Sequence, residues 1–362
     1  MNGEIVFLFV YDAGAKFTEE QLKGLLKKPE DFSRYEYNKP KPEEIAPLNV
    51  PFIFNLTDET LALNGQQYKF RVQASMYPTG QFVIRVRHAT GDAEGLLGTL
   101  TFDAAVATFV KNAVGKARAR VEASLSKIAK IAIADDTEAY RFYYMETDRS
   151  TALKKYGRMI AGLLIDEQNT ERLDEAYMGV ILSRSISYYE DDVHFVGWEG
   201  AVLVDKLSGY EHELLIAEMA NVQLLELRIL HRRIAQMLST TNNTIEIMNR
   251  TGSAAKFHGN NLRKLNMDLG DFYDKTKEMV NVVTDTPQGL GEWYLSKLYT
   301  LLSKEFRLNE LEVSVASDLD MIDKSREFVA DMIRGNTEYV LEIIIILLIA
   351  LEVVIDIALL LK

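Results

Sequence analysis

One set of polar residues carries most of the chemical interest of this sequence. Glu218, Asn221, Gln223, Glu226 and Arg228 fall inside residues 211–237, EHELLIAEMANVQLLELRILHRRIAQM, where leucines 214, 215, 224, 225, 227 and 230 surround a helix on most sides. A helix that is apolar nearly all round is buried, and polar groups buried with it need partners. Two arrangements meet that need. One is an internal network that fixes the helix register; the other is a ligand-sensing or enzymatic site at a domain junction.

Other combinations fall short of known chemistry. His212-Glu213 opens like a zinc-protease helix, but the second histidine of that pattern falls on Ile216. Gly14-Ala15-Lys16-Phe17-Thr18 lacks the spacing of a phosphate-binding loop, and Gly289-Leu290-Gly291 lacks a third glycine. The pairs Asp135-Asp136 and Asp191-Asp192 are sequence neighbours, whose side chains point apart on a helix or strand. Histidines 88, 194, 212, 231 and 258 are scattered. With no cysteine, thiolate nucleophiles and cysteine–zinc sites are excluded. The expectation is a protein without catalytic residues, cofactor or metal.

The elements that must position these residues follow from pattern and composition. Residues 4–11, EIVFLFVY, read as a buried strand. Thr18-Glu19-Glu20-Gln21 resembles a capping box, opening a helix to about residue 26. Residues 39–51 hold four prolines and read as a loop; strands are expected at 52–56, 68–75 and 81–87, with a turn at Tyr77-Pro78-Thr79-Gly80. Residues 102–133 read as one long helix bearing Lys111, Lys116, Arg118, Arg120, Lys127 and Lys130 against Glu122. That basic side is a candidate contact for RNA, a ribosome or anionic lipid, although no aromatic residues are interleaved for base stacking. A second strand–helix unit is expected at 139–164, followed by short strands to 205. After Gly209 everything reads as helix, with a helix–helix connection at 286–291 and a 3–4 apolar spacing from Leu308 to Ile333 that suggests a coiled-coil stalk. The fold class expected is therefore α+β: an N-terminal α+β region, in two ferredoxin-like halves, then a helical bundle. The expected domains are 1–100, 101–136, 137–208, 209–339 and 340–361.

The last stretch, 340–361, holds 17 Leu, Ile or Val, two Ala and three acids. As a helix it is about 33 Å long, enough for a hydrocarbon core of about 30 Å. At 100° per residue Glu338, Glu342, Glu352 and Asp356 share one stripe. That stripe suggests a self-associating anchor with its carboxyls turned inward; an ion path, or a buried helix of a soluble oligomer with the acids at its wet rim, are the alternatives. Lys324, Arg326 and Arg334 precede the stretch and only Lys362 follows, which would keep the bulk of the chain on the cytoplasmic side of a membrane. The start, MNGEIVFLFVYDAG, has no basic segment before its apolar run and does not read as a signal peptide. The net charge of −12, from 41 basic and 53 acidic residues, speaks against a dedicated nucleic-acid binder.

The motif EMANVQLLELR at 218–228, and Leu341-Glu342 followed by aliphatics and Glu352-Val353-Val354, resemble motifs of the required-for-meiotic-nuclear-division family. Ile343 stands where that family's tryptophan is expected. The resemblance implies a membrane-anchored, homo-oligomeric scaffold that tethers ribosomes, and implies no catalytic residues.

Overall fold

The computed structural model describes residues 2–25, 32–34, 51–91, 97, 100–206, 209–250, 259–285 and 293–360. Its organising element is β1 (Gly3–Asp12), the near-continuous apolar run. Both edges of β1 are occupied by antiparallel partners. β6 (Gln81–Thr90) pairs along its whole length, from Gly3 opposite Thr90 to Asp12 opposite Gln81. β7 (Glu138–Met145) pairs from Gly3 opposite Met145 to Val10 opposite Glu138.

Around this core the sheet runs β2-β3-β5-β6-β1-β7-β10-β9-β8, with β4 on the side of β5. The remaining strands are β2 (Phe32–Arg34), β3 (Phe52–Asn55), β4 (Glu59–Leu63), β5 (Gln66–Met76), β8 (Ser185–Ile186), β9 (Val193–Val196) and β10 (Gly200–Val204). The two strand–helix stretches foreseen as halves thus share one sheet. β7 and β10 lie parallel, so the chain between them must cross over.

Local chemistry sets the boundaries. α1 (Glu19–Gly24) begins on a capping box in which Thr18 and Gln21 satisfy each other's backbone amides. Between β5 and β6 the turn at Tyr77-Pro78-Thr79-Gly80 closes with Tyr77 N donating to Gln81 O at 2.8 Å. Gly80 has φ +117°, and a Cβ there would stand 2.3 Å from the Ala15 carbonyl oxygen. α2 (Ala104–Leu125) is capped by Asp103. It stops short of the expected residue 133 because the following backbone is drawn to the end of β1: Ala132 N donates to Ala13 O and Ala134 N to Asp12 O.

One sheet face carries the apolar core, with Ile5, Phe7 and Tyr11 of β1 packed with Val110, Val114 and Val121 of α2 and Ile160 and Leu164 of α3 (Arg149–Ile165). A shorter helix, α4 (Glu175–Leu182), and a 3-10 turn (Thr170–Arg172) follow α3. The other face, bearing Glu4, is engaged by the next helix, α5 (Glu211–Arg250). Then come α6 (Gly259–Asp285), α7 (Trp293–Glu305) and α8 (Leu308–Leu360). The proline-rich loop foreseen at 39–51 falls, up to residue 50, outside the described residues, as does the connection foreseen at 286–291.

The chain divides into two compact units, Met1–Ile229 with Val283–Leu311, and Leu230–Val282 with Glu312–Lys362. The second unit is helical. Leu262, Leu265 and Leu269 of α6 are buried, as are Val315, Leu319, Ile322 and Val329 of α8. His231 meets Asp318 at 2.7 Å, and the Arg326 guanidinium lies 5.7 Å from the centre of the Tyr273 ring.

Among the described residues no helix is long and apolar enough to cross a membrane. The expected transmembrane anchor, and with it the membrane address and cytoplasmic bulk, is therefore corrected. The apolar run 343–351 spans nine residues between Glu342 and Glu352, about 13 Å of helix against a core of about 30 Å. Asp356 then divides what remains. Glu338 and Glu342 are exposed, while the side chains of Glu352 and Asp356 lie outside the described residues.

Candidate functional site

The first half of α5 is buried on nearly every side, from Leu214 and Leu215 to Leu227, Ile229 and Leu230. At 100° per residue, Glu211, Glu218 and Glu226 fall within about 80° of one another. That stripe meets the polar side chains of the sheet. Arg85 Nε donates to Glu218 Oε2 at 2.5 Å, Tyr77 OH donates to Oε1 at 2.7 Å, and Ser75 Oγ reaches Oε2 at 3.4 Å. The side chains of Arg85 and Glu218 are 2% and 0% exposed. Burial works against the Arg85 charge, but the Glu218 carboxylate outweighs it and holds the guanidinium pKa above its ordinary value.

Two further clusters flank this pair. Arg87 donates from Nε to Glu4 at 2.7 Å and from Nη2 to Glu211 at 2.6 Å and to Tyr210 OH at 2.7 Å. Burial opposes its charge, yet the Glu211 and Glu4 carboxylates hold its pKa well above the usual value. On the other side Gln81 donates to Glu226. Around the helix, Tyr299 of α7 donates to Gln223, Asn221 Nδ2 donates to the Ala217 carbonyl at 2.8 Å, and Arg228 pairs with Glu138. The Arg228 guanidinium also sits 5.8 Å from the Trp198 ring centre. Burial raises the Glu138 pKa more than Arg228 lowers it.

All five sequence-predicted polar residues of α5 are thus brought to buried or partly buried positions, and each has an internal partner. What sequence reasoning missed is the other half of the network: Glu4, Ser75, Tyr77, Gln81, Arg85 and Arg87. A signal was present. β6 reads QFVIRVRH, and two arginines two residues apart on an otherwise apolar strand must share one face.

The basic residues do not form one face. Lys111, Lys116, Arg120, Lys127 and Lys130 are exposed, but Lys127 and Lys130 lie beyond the end of α2. Lys116 pairs with Glu59 at 3.1 Å, Arg118 with Glu122 at 2.5 Å, and Arg120 donates to Thr57 at 2.9 Å. The aspartate pair at 191–192 is structural: Asp192 accepts from the Tyr188 and Tyr189 amides, and Asp191 meets Lys206. No trio of His, Asp or Glu is placed to hold a metal ion among the described residues.

His194 on β9 stands apart from this network. Its side chain is fully buried, edge-on to Phe142 with ring centres 5.6 Å apart, and neither ring nitrogen has a hydrogen-bond partner. Desolvation alone pulls its pKa down to about 3.

Comparison with known proteins adds a family. Residues 2–211 match the model described as "Uncharacterized protein MJ0711, N-terminal domain". The chain belongs to that family. The MJ0711 family domain therefore comprises the whole sheet with α1 to α4 and ends at the first residue of α5. Uncharacterized protein MJ0711 of Methanocaldococcus jannaschii is 23% identical over 230 residues, a match covering 61% of this chain and 66% of that relative, a little under two thirds of its length. No solved structure matches. The family shown is this one, and not the required-for-meiotic-nuclear-division family. Its motifs at 218–228 and 341–354 lie outside the MJ0711 family match, and the first of them is a buried packing surface, whose apolar spacing any enclosed helix needs.

Proposed function

We propose that this protein is a self-associating, non-catalytic scaffold, assembled through the far part of α8. A single observation supports the reading: Leu341 and Ile344 to Ile349 are seven large aliphatic side chains, each 46–63% exposed, on one short piece of helix. Contiguous apolar surface beyond a few hundred Å² marks an interaction site. A second copy of the chain is always present at equal concentration and presents the same surface, so a symmetric contact follows naturally. The internal pairing of the α5 polar residues favours a helix held in register by its own network over a ligand site. The engaged state of Lys116, Arg118 and Arg120 gives the RNA- or ribosome-tethering alternative less support.

The test is co-purification. Two full-length copies carrying different affinity tags, expressed together, should be recovered with either tag from detergent-free buffer. Recovery of one tag alone, at micromolar protein, overturns the scaffold reading.

A further inference from the structure

Resting on the self-association proposed above, we infer that the α8 ends pack as a bundle of three or more copies, with the stripe of Glu338 and Glu342 facing water. At 100° per residue, counted from Glu338, Ile349 lies near 20°, Ile346 near 80°, Leu347 near 180°, Ile344 near 240°, Leu348 near 280°, Leu341 near 300° and Ile345 near 340°. All seven are exposed. Among the described side chains of 341–349, only Glu342, near 40°, breaks this apolar circle.

Such a circle does not suit a pair. A helix facing one partner buries a stripe somewhat over 100° wide and presents polar residues elsewhere. A pair would leave more than half of this circumference as aliphatic surface in water. Adding a third helix or more covers a wider arc of each.

The occupant is another copy because of how charge is distributed. In the sequence Glu338, Glu342, Glu352 and Asp356 share one stripe, so identical helices in a ring can turn every stripe outward at once. A different partner on the aliphatic side finds no charge to complement there. The described aliphatics offer on the order of 500 Å² per copy, and two such surfaces approach the roughly 1,000 Å² of a specific interface. The last fully buried side chain of α8 is Val329, and no described residue covers 344–349.

The experiment is light scattering of the full chain in detergent-free buffer at several concentrations. The expected mass is three or more subunits. Leu347→Glu should reduce it to one, with unchanged helical circular dichroism, whereas Glu338→Lys with Glu342→Lys should preserve it. Since the chain has no cysteine, single-cysteine variants report orientation without changing the fold. In the assembly Glu342→Cys should react with a charged thiol reagent at least ten times faster than Leu347→Cys. A mass of two subunits, or equal reactivity at the two positions, overturns the bundle while leaving self-association intact. A mass of one at every concentration overturns self-association itself.

Discussion

Arg85 of β6 and Glu218 of α5 meet at 2.5 Å where solvent reaches neither: the two side chains are 2% and 0% exposed. Breaking such a pair strands a charge, and costs far more than replacing both partners.

Glu218→Ala or Arg85→Ala should each lower unfolding free energy by about 3–5 kcal/mol. Arg85→Met combined with Glu218→Leu should restore most of the loss. Urea unfolding of the single variants and the double variant measures this. Additive losses in the double variant would mean that the two groups are not coupled.

His194 makes stability depend on pH. Its folded pKa, about 3, lies below the ordinary value of 6.5 because it is buried without a partner. The unfolded chain therefore binds the proton that the folded chain refuses. Stability is full above pH 6.5 and falls below it, by about 1.4 kcal/mol per pH unit until pH nears 3. Unfolding midpoints of wild type and His194→Phe should diverge between pH 7 and pH 5. Parallel pH profiles would remove His194 as the cause.

Gly80→Ala should destabilise by about 1–3 kcal/mol, since the residue has φ +117° and its new Cβ would press on the Ala15 carbonyl. Gly65→Ala makes a control: it also has positive φ, but open space around it. The excess loss at Gly80 over Gly65 in thermal unfolding isolates the clash.

Asp103→Ala should cost about 1 kcal/mol, because the Asp103 carboxylate accepts from the Ala105 amide at 2.7 Å and the Val106 amide at 3.2 Å. Asp103→Asn should retain most of that stability, since an amide oxygen caps as well. Equal losses in the two variants would point to charge rather than capping.

Much of the fold was legible because it rested on local pattern. β1, the β5–β6 hairpin, the Thr18 capping box and α5 each declare themselves within a dozen or so residues. The end of α2 did not, because Ala132 and Ala134 are held by backbone carbonyls at residues 12 and 13. The candidate network was half legible for a similar reason. Glu218 and Glu226 stood out inside a helix otherwise apolar, but their partners Arg85 and Gln81 are more than 130 residues away. The membrane reading rested on composition, and no helix among the described residues bears it out. Seventeen aliphatics in 22 count strongly in sum, yet Glu342, Glu352 and Asp356 cut them into short runs. His194 gave no signal, since a histidine in VHFV reads the same whether or not its nitrogens find partners.

The place of β1 between β6 and β7 also bears on how the protein is made. As the chain leaves the ribosome, β1 emerges with both hydrogen-bonding edges bare. One edge waits for residues 81–90 and the other for residues 138–145. Chain order thus runs against assembly order, so the sheet must close by long-range pairing, a slow route. Until it does, a ten-residue apolar ribbon stays open to other nascent chains.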